Sequence, residues 1–187
     1  MAGTVVRDRL GIEVWLQTGV KLLAEEGVSA LTVDRLSATV GRSKGSFYHH
    51  FQGVDGFVTA LLEYWRKTQT EDVIRHVDNE ADPRTQRTAL MQQAAGLDHD
   101  VERAIRIWGG SDASARKVIK AVDERRIAYL ARILAASSAL EMPEATDLAR
   151  IEYAALIGLH QLYPEVDPEF LTPLYERLAR LITPGEE

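Results

Sequence analysis

Residues 32–51 read TVDRLSATVGRSKGSFYHHF, and this stretch decides the fold. Thr32 and Ser43 each stand one residue ahead of a predicted helix. There a hydroxyl accepts from an amide N–H that has no partner inside the helix. The pattern predicts one short helix over 33–40, closed by Gly41, and a second over 44–51. Two short helices joined by a tight glycine-containing turn make a helix-turn-helix unit. Gly41 supplies the backbone freedom that the sharp turn demands.

Successive residues of the second helix advance by about 100°. Phe47 and Phe51 therefore share one face, while Gly45, Ser46 and His49 point the other way and Lys44, Tyr48 and His50 lie on the flanks. An apolar back with a small, polar and cationic front suits the major groove of DNA. Gly45 lets the backbone come close, and Lys44 can reach guanine O6/N7 or a phosphate. The free N–H groups near Ser43 attract a phosphate, and Thr32 does the same for the flanking backbone. Tyr48, His49 and His50 offer hydrogen bonds to phosphate and sugar, which position a protein without reading sequence.

Outward from this stretch the chain continues to read as helix, with no alternation long enough for a strand. A helix over 9–26 carries Ile12, Trp15, Leu16, Gly19, Val20 and Leu23 as its apolar stripe and stops at Gly27. A fourth helix, over about 55–76, carries Phe57, Leu61, Leu62 and Trp65. Asp82-Pro83 marks another helix start. Further segments follow over 98–108, ending at Gly109-Gly110, and over 112–137, 143–162 and 168–182. The expectation is an all-α chain of about nine helices. A three-helix helix-turn-helix domain over 8–68 would precede a second helical domain over 69–187.

In that second region Leu171, Leu174, Leu178 and Leu181 repeat at steps of three and four, the seam of a helix that packs lengthwise on another. Ala155, Gly158, Leu159 and Leu162 give the preceding helix a face that permits close approach. Two such helices from each of two chains would make a four-helix bundle across a two-fold axis; packing within one protomer is the alternative. Trp65, Met91, Trp108, Tyr129, Tyr153 and His160 are candidates to line a small-molecule pocket, each with the alternative of plain core.

Composition sets the outer bounds. With 45% apolar and 27% charged residues in 187, the chain can bury a core and present a soluble surface. No stretch approaches the ~18 uninterrupted apolar residues of a spanning helix. The first residues carry no apolar signal region. Cysteine is absent, so the sequence offers no disulfide framework and no thiolate zinc site, in keeping with the cytoplasm. The net charge of −6 argues against a nucleic-acid partner until the chain is split. Residues 1–53 carry six Lys/Arg against five acids, whereas the remainder is strongly acidic.

Other chemistries find little support. No nucleophile elbow, zincin helix, phosphate loop or cysteine nucleophile is present, so no catalytic residue is assigned and no cofactor is called for. His49 and His50 diverge by about 100° on a helix and cannot share one metal ion. Asp98-His99-Asp100 reads as a solvated helix start, with a metal effector as the alternative. A helical protein-interaction module and, more remotely, a small-molecule enzyme with a spatially assembled site are the other function classes left open.

Gly27, Leu31-Thr32-Val33, Leu36, Gly41 and the run SKGSFYHHF over 43–51, followed by a long helix, strongly resemble the N-terminal domain of TetR/AcrR-type transcriptional regulators. The resemblance covers residues 9–65. It implies a repressor-like homodimer on a palindromic operator, answering to an unidentified small-molecule effector. By position it implies DNA contacts at Thr32, Ser43, Lys44, Gly45, Ser46, Tyr48, His49 and His50. Three positions depart from the family pattern. Arg42 stands where an apolar valine is usual and adds a candidate phosphate contact. Val54 replaces a common lysine, and Trp15 an aliphatic residue of the core.

Overall fold

The computed structural model describes residues 2–138, 140–165 and 168–182. Its α-helices are α1 (Ala2–Glu26), α2 (Val33–Val40), α3 (Lys44–His50), α4 (Gly53–Arg66), α5 (Asp72–Val77), α6 (Pro83–Ala95), α7 (His99–Ser111), α8 (Ala113–Ser138), α9 (Met142–Leu162) and α10 (Pro168–Ile182). A 3-10 turn covers Val28–Ala30, and a π-turn, Lys67–Glu71, separates α4 from α5. The all-α expectation holds among the described residues. Counting α4, the π-turn and α5 as the one run read over 55–76 gives nine helices there.

Two compact units result. The first comprises Met1–Lys67 with Asp100–Ile119, and the second Thr68–His99 with Lys120–Glu187. In the first unit an aromatic cluster holds α1, α3 and α4 together. Trp15 meets Phe47 edge-on at 5.4 Å, and Phe47 lies 5.6 Å from Phe57. Phe51 closes the cluster, 5.1 Å from Phe47 and 5.0 Å from Phe57. Trp15, Phe47 and Phe57 are fully buried. Gly19 belongs to the same packing: a Cβ there would fall 2.5 Å from Phe57 Cζ. It lets α4 approach α1 more closely than any side chain would allow.

The second unit is built on α5, α6, the later part of α8, α9 and α10. Val73, Ile74 and Val77 pack with Tyr129 and Ile133, while Leu130, Ala131 and Leu134 pack with Ala145 and Ala149. Asp82 caps α6 through the amides of Arg84 and Thr85, as the Asp-Pro pair predicts.

Three boundaries differ from the sequence reading. Helix α1 begins at Ala2 rather than near residue 9, since no proline interrupts the stretch. Helix α7 runs through Gly109-Gly110 to Ser111 instead of ending there. Gly109 is a packing residue: an added Cβ would fall 2.4 Å from Ile119 Cδ1. Arg116 donates to the carbonyls of Gly109 (3.0 Å) and Gly110 (2.9 Å), satisfying the helix end. The π-turn is the third difference. A wider turn leaves a backbone carbonyl outside the α ladder, and Arg126 on α8 donates to the Gln69 carbonyl at 3.1 Å and to Thr70 Oγ1 at 2.9 Å.

Candidate nucleic-acid interface and cavity

The helix-turn-helix forms as its local signals dictate. Thr32 Oγ1 accepts from the Arg35 amide at 3.2 Å, and Ser43 Oγ from the Ser46 amide at 3.2 Å. Gly41 closes α2 at φ 69°, a left-handed conformation that favours glycine. Arg35 donates to Glu26, tying α2 to the end of α1.

Helix α3 presents two distinct sides. Phe47 is buried in the aromatic cluster, whereas Arg42, Ser43, Lys44, Gly45, Tyr48 and His49 are exposed and Ser46 is half-buried. Thr32 is exposed at the start of α2. Tyr48 keeps 59% of its surface exposed while its ring edge rests on Phe47, 5.6 Å away. His50 turns aside: it is half-buried, and a Cβ on Gly11 of α1 would come 3.2 Å from its Nε2. The structure thus leaves Thr32, Arg42, Ser43, Lys44, Gly45, Tyr48 and His49 exposed, with Ser46 and His50 half-buried.

Electrostatics adds a feature that the sequence reading lacks. The Lys44 ammonium is ion-paired with Asp34 on α2. The hydrogen bond to Asp34 and its charge hold the Lys44 pKa above the ordinary value, so the group stays cationic. Asp34 thereby steers the cation and also opposes any phosphate that would take its place.

The second unit contains a cavity of about 340 Å³. Of the six pocket candidates, Met91, Tyr129 and Tyr153 line it. Trp65 and Trp108 are instead buried residues of the first unit, and His160 stacks on His99 at 3.2 Å within the second. Sequence reasoning overlooked the polar part of the wall. Arg87 and Glu152 form an ion pair at 2.9 Å with 5% and 17% of their side chains exposed. Arg126 donates to the Tyr153 hydroxyl at 3.1 Å, and that hydroxyl donates to Asp123 at 2.6 Å. Tyr129 donates to Asp78 at 2.9 Å. Burial, then the hydrogen bond to Asp78, pushes the Tyr129 phenol up to about 12. Gln69 carries a signal that could have been read: it follows Leu61 and Trp65 at steps of four and precedes Val73, a polar residue on an inward stripe.

The predicted dimer stripe divides. Leu171 is buried within the chain and Leu178 lines the cavity, whereas Leu174 and Leu181 are exposed. On α9, Ala155, Gly158 and Leu159 are half-buried and Leu162 is 73% exposed. Ile151, Ala155, Gly158 and Leu162 recur at steps of four, three and four, leaving one open face. A Cβ on Gly158 would meet nothing within 4 Å. Among the described residues no group of three or more potential metal ligands converges, and no helix is long and apolar enough to cross a membrane.

The geometry agrees with what known proteins show. The family described as bacterial regulatory proteins, tetR family, matches residues 16–61, from within α1 into α4. Over 73 residues the chain is 32% identical to the uncharacterized HTH-type transcriptional regulator YwcC of Bacillus subtilis (strain 168). That match covers 39% of this chain and 32% of YwcC, so the chain spans about a third of this curated relative. A crystal structure from Pseudomonas aeruginosa PAO1 superposes with a TM-score of 0.72 at 21% identity, covering 97% of this chain and 92% of that one. A transcriptional regulator of the TetR/AcrR family from Thermobifida fusca YX-ER1 gives a TM-score of 0.57 at 18% identity over 97% and 98% of the two chains. The helix-turn-helix segment, residues 16–61, is thus matched in sequence by the tetR family of bacterial regulatory proteins, and the helical fold is matched along the whole length.

Proposed function

We propose that the chain is a ligand-responsive repressor that binds a palindromic operator in double-stranded DNA as a homodimer, with α3 in the major groove. The observation that carries this reading is the two-sidedness of α3: Phe47 anchors it, while Lys44, Gly45, Tyr48 and His49 stay exposed and Ser46 half-buried after a Ser43-capped start. Arg42, Thr32 and the α3 N-terminus take the flanking phosphates, with His50 at the margin.

Seven residues of α3 span only about 10 Å, so one copy reaches few base pairs. Two copies on a two-fold axis would read half-sites one helical turn apart, about 34 Å. The open face of α9 and the exposed Phe170, Leu174 and Leu181 of α10 support pairing of two chains there. The cavity supports control by a small molecule, and operator and ligand must then weaken each other by the same factor.

A gel shift on the DNA upstream of the chain's own gene tests the reading. Wild-type protein should bind that DNA over unrelated DNA. Lys44→Ala should lose roughly 5- to 150-fold of specific affinity, with an unchanged circular dichroism melt. Equal binding by the two proteins across a range of salt would remove Lys44 from the interface.

A further inference from the structure

The cavity wall pairs apolar side chains with two polar atoms that none of the described residues satisfies. Val73, Leu90, Met91 and Leu156 supply much of the apolar lining. Gln69 Oε1 and the Tyr175 hydroxyl belong to lining residues, are shielded from solvent and have no hydrogen-bond partner among the described residues. A buried polar atom without a partner costs about 1–3 kcal/mol, so two in one cavity call for an occupant that completes them. Tyr175 adds a second indication: burial pushes its phenol up to about 12, leaving a neutral hydroxyl with a proton to give.

We propose that this cavity takes a neutral, predominantly apolar small molecule carrying a hydroxyl group, and that Gln69 and Tyr175 recognise that hydroxyl. The inference deepens the ligand-responsive reading above and rests on it. Charge makes the first selection. The wall holds two guanidiniums, Arg87 and Arg126, and two carboxylates, Glu152 and Glu176, and Arg87 already pairs with Glu152. Their formal charges cancel, so an ionised ligand finds no net counter-charge and brings its full desolvation penalty into an apolar site. Hydrogen-bond polarity makes the second selection. Gln69 Oε1 accepts only, while the Tyr175 hydroxyl has a proton to place. A carboxylate would take that proton but repel Oε1. An ammonium would satisfy Oε1 but leave the phenol proton unused. A hydroxyl both donates and accepts, and so matches either group.

Gln69 also gives the site a connection to the backbone. Its side chain reaches the cavity from the π-turn, and its carbonyl is held by Arg126, which bonds Tyr153 in the same wall. Occupancy of the cavity therefore bears on the residue around which the π-turn is built.

The test is isothermal titration calorimetry of the full chain with three probes of one chain length: 1-decanol, decanoate and decylammonium. Decanol should bind at least ~10-fold more tightly than either ion, since only the ions carry a charge into the cavity. Gln69→Leu and Tyr175→Phe should each lower decanol affinity by roughly 3- to 10-fold and narrow its advantage over the ions, with unchanged circular dichroism melts. Decanoate or decylammonium binding as tightly as decanol would overturn the assignment. So would variants that keep the full preference, or a wild-type chain that binds none of the three. The gel shift without ligand separates the two readings. A chain that takes decanol but ignores its upstream DNA would sink the regulator reading and leave the cavity assignment standing. A chain that binds its DNA but no decanol would do the reverse.

Discussion

The first unit buries its tryptophans and phenylalanines, and the second leaves several large apolar side chains open. Trp15, Phe47, Phe57 and Trp65 are completely buried within the first. The second leaves Ile151, Leu162, Phe170 and Leu181 between 50% and 74% exposed, and it encloses an unfilled volume besides. A short recognition helix works only if its backbone is held rigidly, and Trp15, Phe51 and Phe57 gather around Phe47 to fix α3. On the proposed function, the second unit holds apolar surface for a second chain and a ligand. Exposed apolar area at this density marks a surface with a partner.

The largest effect expected from this contrast is on stability. Phe47→Ala should cost about 3–5 kcal/mol, because close packing around the ring cannot collapse into the gap. Leu156→Ala in the cavity wall should cost less than half as much, since it enlarges a void that already exists. Chemical denaturation followed by circular dichroism measures both. Equal losses would show that the second unit is packed as tightly as the first.

Next in size is assembly. Ile151→Glu with Leu162→Glu places two carboxylates on the open face of α9 while leaving the buried side of that helix intact. Sedimentation should change from dimer to monomer, and operator affinity should fall by roughly 100-fold or more as the second half-site loses its tether. A doubly substituted chain that still sediments as a dimer would move the interface to another face.

The same contrast explains what could be read in the sequence. The helix-turn-helix was legible because its signals are local: Thr32 and Ser43 each bond an amide three residues on, and Gly41 closes the helix beside it. The π-turn and the passage of α7 through Gly109-Gly110 were not. Their freed carbonyls are answered by Arg126 and Arg116, and a glycine that ends a helix has the same spelling as one that admits Ile119. Residue type made Trp65, Trp108 and Tyr129 candidates for a pocket, with plain core as the alternative. It carries no information on whether an inward side chain meets protein or empty space, so core and cavity lining look alike until the helices are assembled. Exposure of Leu174 beside burial of Leu171 depends on the same assembly.

A smaller effect sharpens the picture of the first unit. Asp34 holds Lys44 while no DNA is bound, so a phosphate or base must displace it. Asp34→Asn removes the competitor and one charge that repels the phosphate backbone. Operator affinity should rise by roughly 2- to 5-fold, the scale of an exposed ion pair. The change should appear on specific and unrelated DNA alike. A loss of affinity would instead mean that Asp34 orients Lys44 productively.

The smallest expected effect lies in the second unit and depends on pH. Burial works against the Asp78 charge, yet hydrogen bonds from Arg132 and Tyr129 hold its carboxyl below the ordinary value. A carboxyl whose folded pKa is depressed stabilises the fold fully above its unfolded value, about 3.9, and loses that contribution as pH falls through the folded value. Because the Asp78 side chain is 45% exposed, solvent screens the pair, and the contribution is about 0.5 kcal/mol. Asp78→Asn should therefore melt slightly below wild type at neutral pH, and the gap should close on acidification through the lowered folded value. Thermal melts of both proteins across that range give the measurement. A gap that stays constant with pH would assign the loss to Tyr129 packing rather than to the carboxylate, and the polar edge of the second unit would then be held by shape instead of charge.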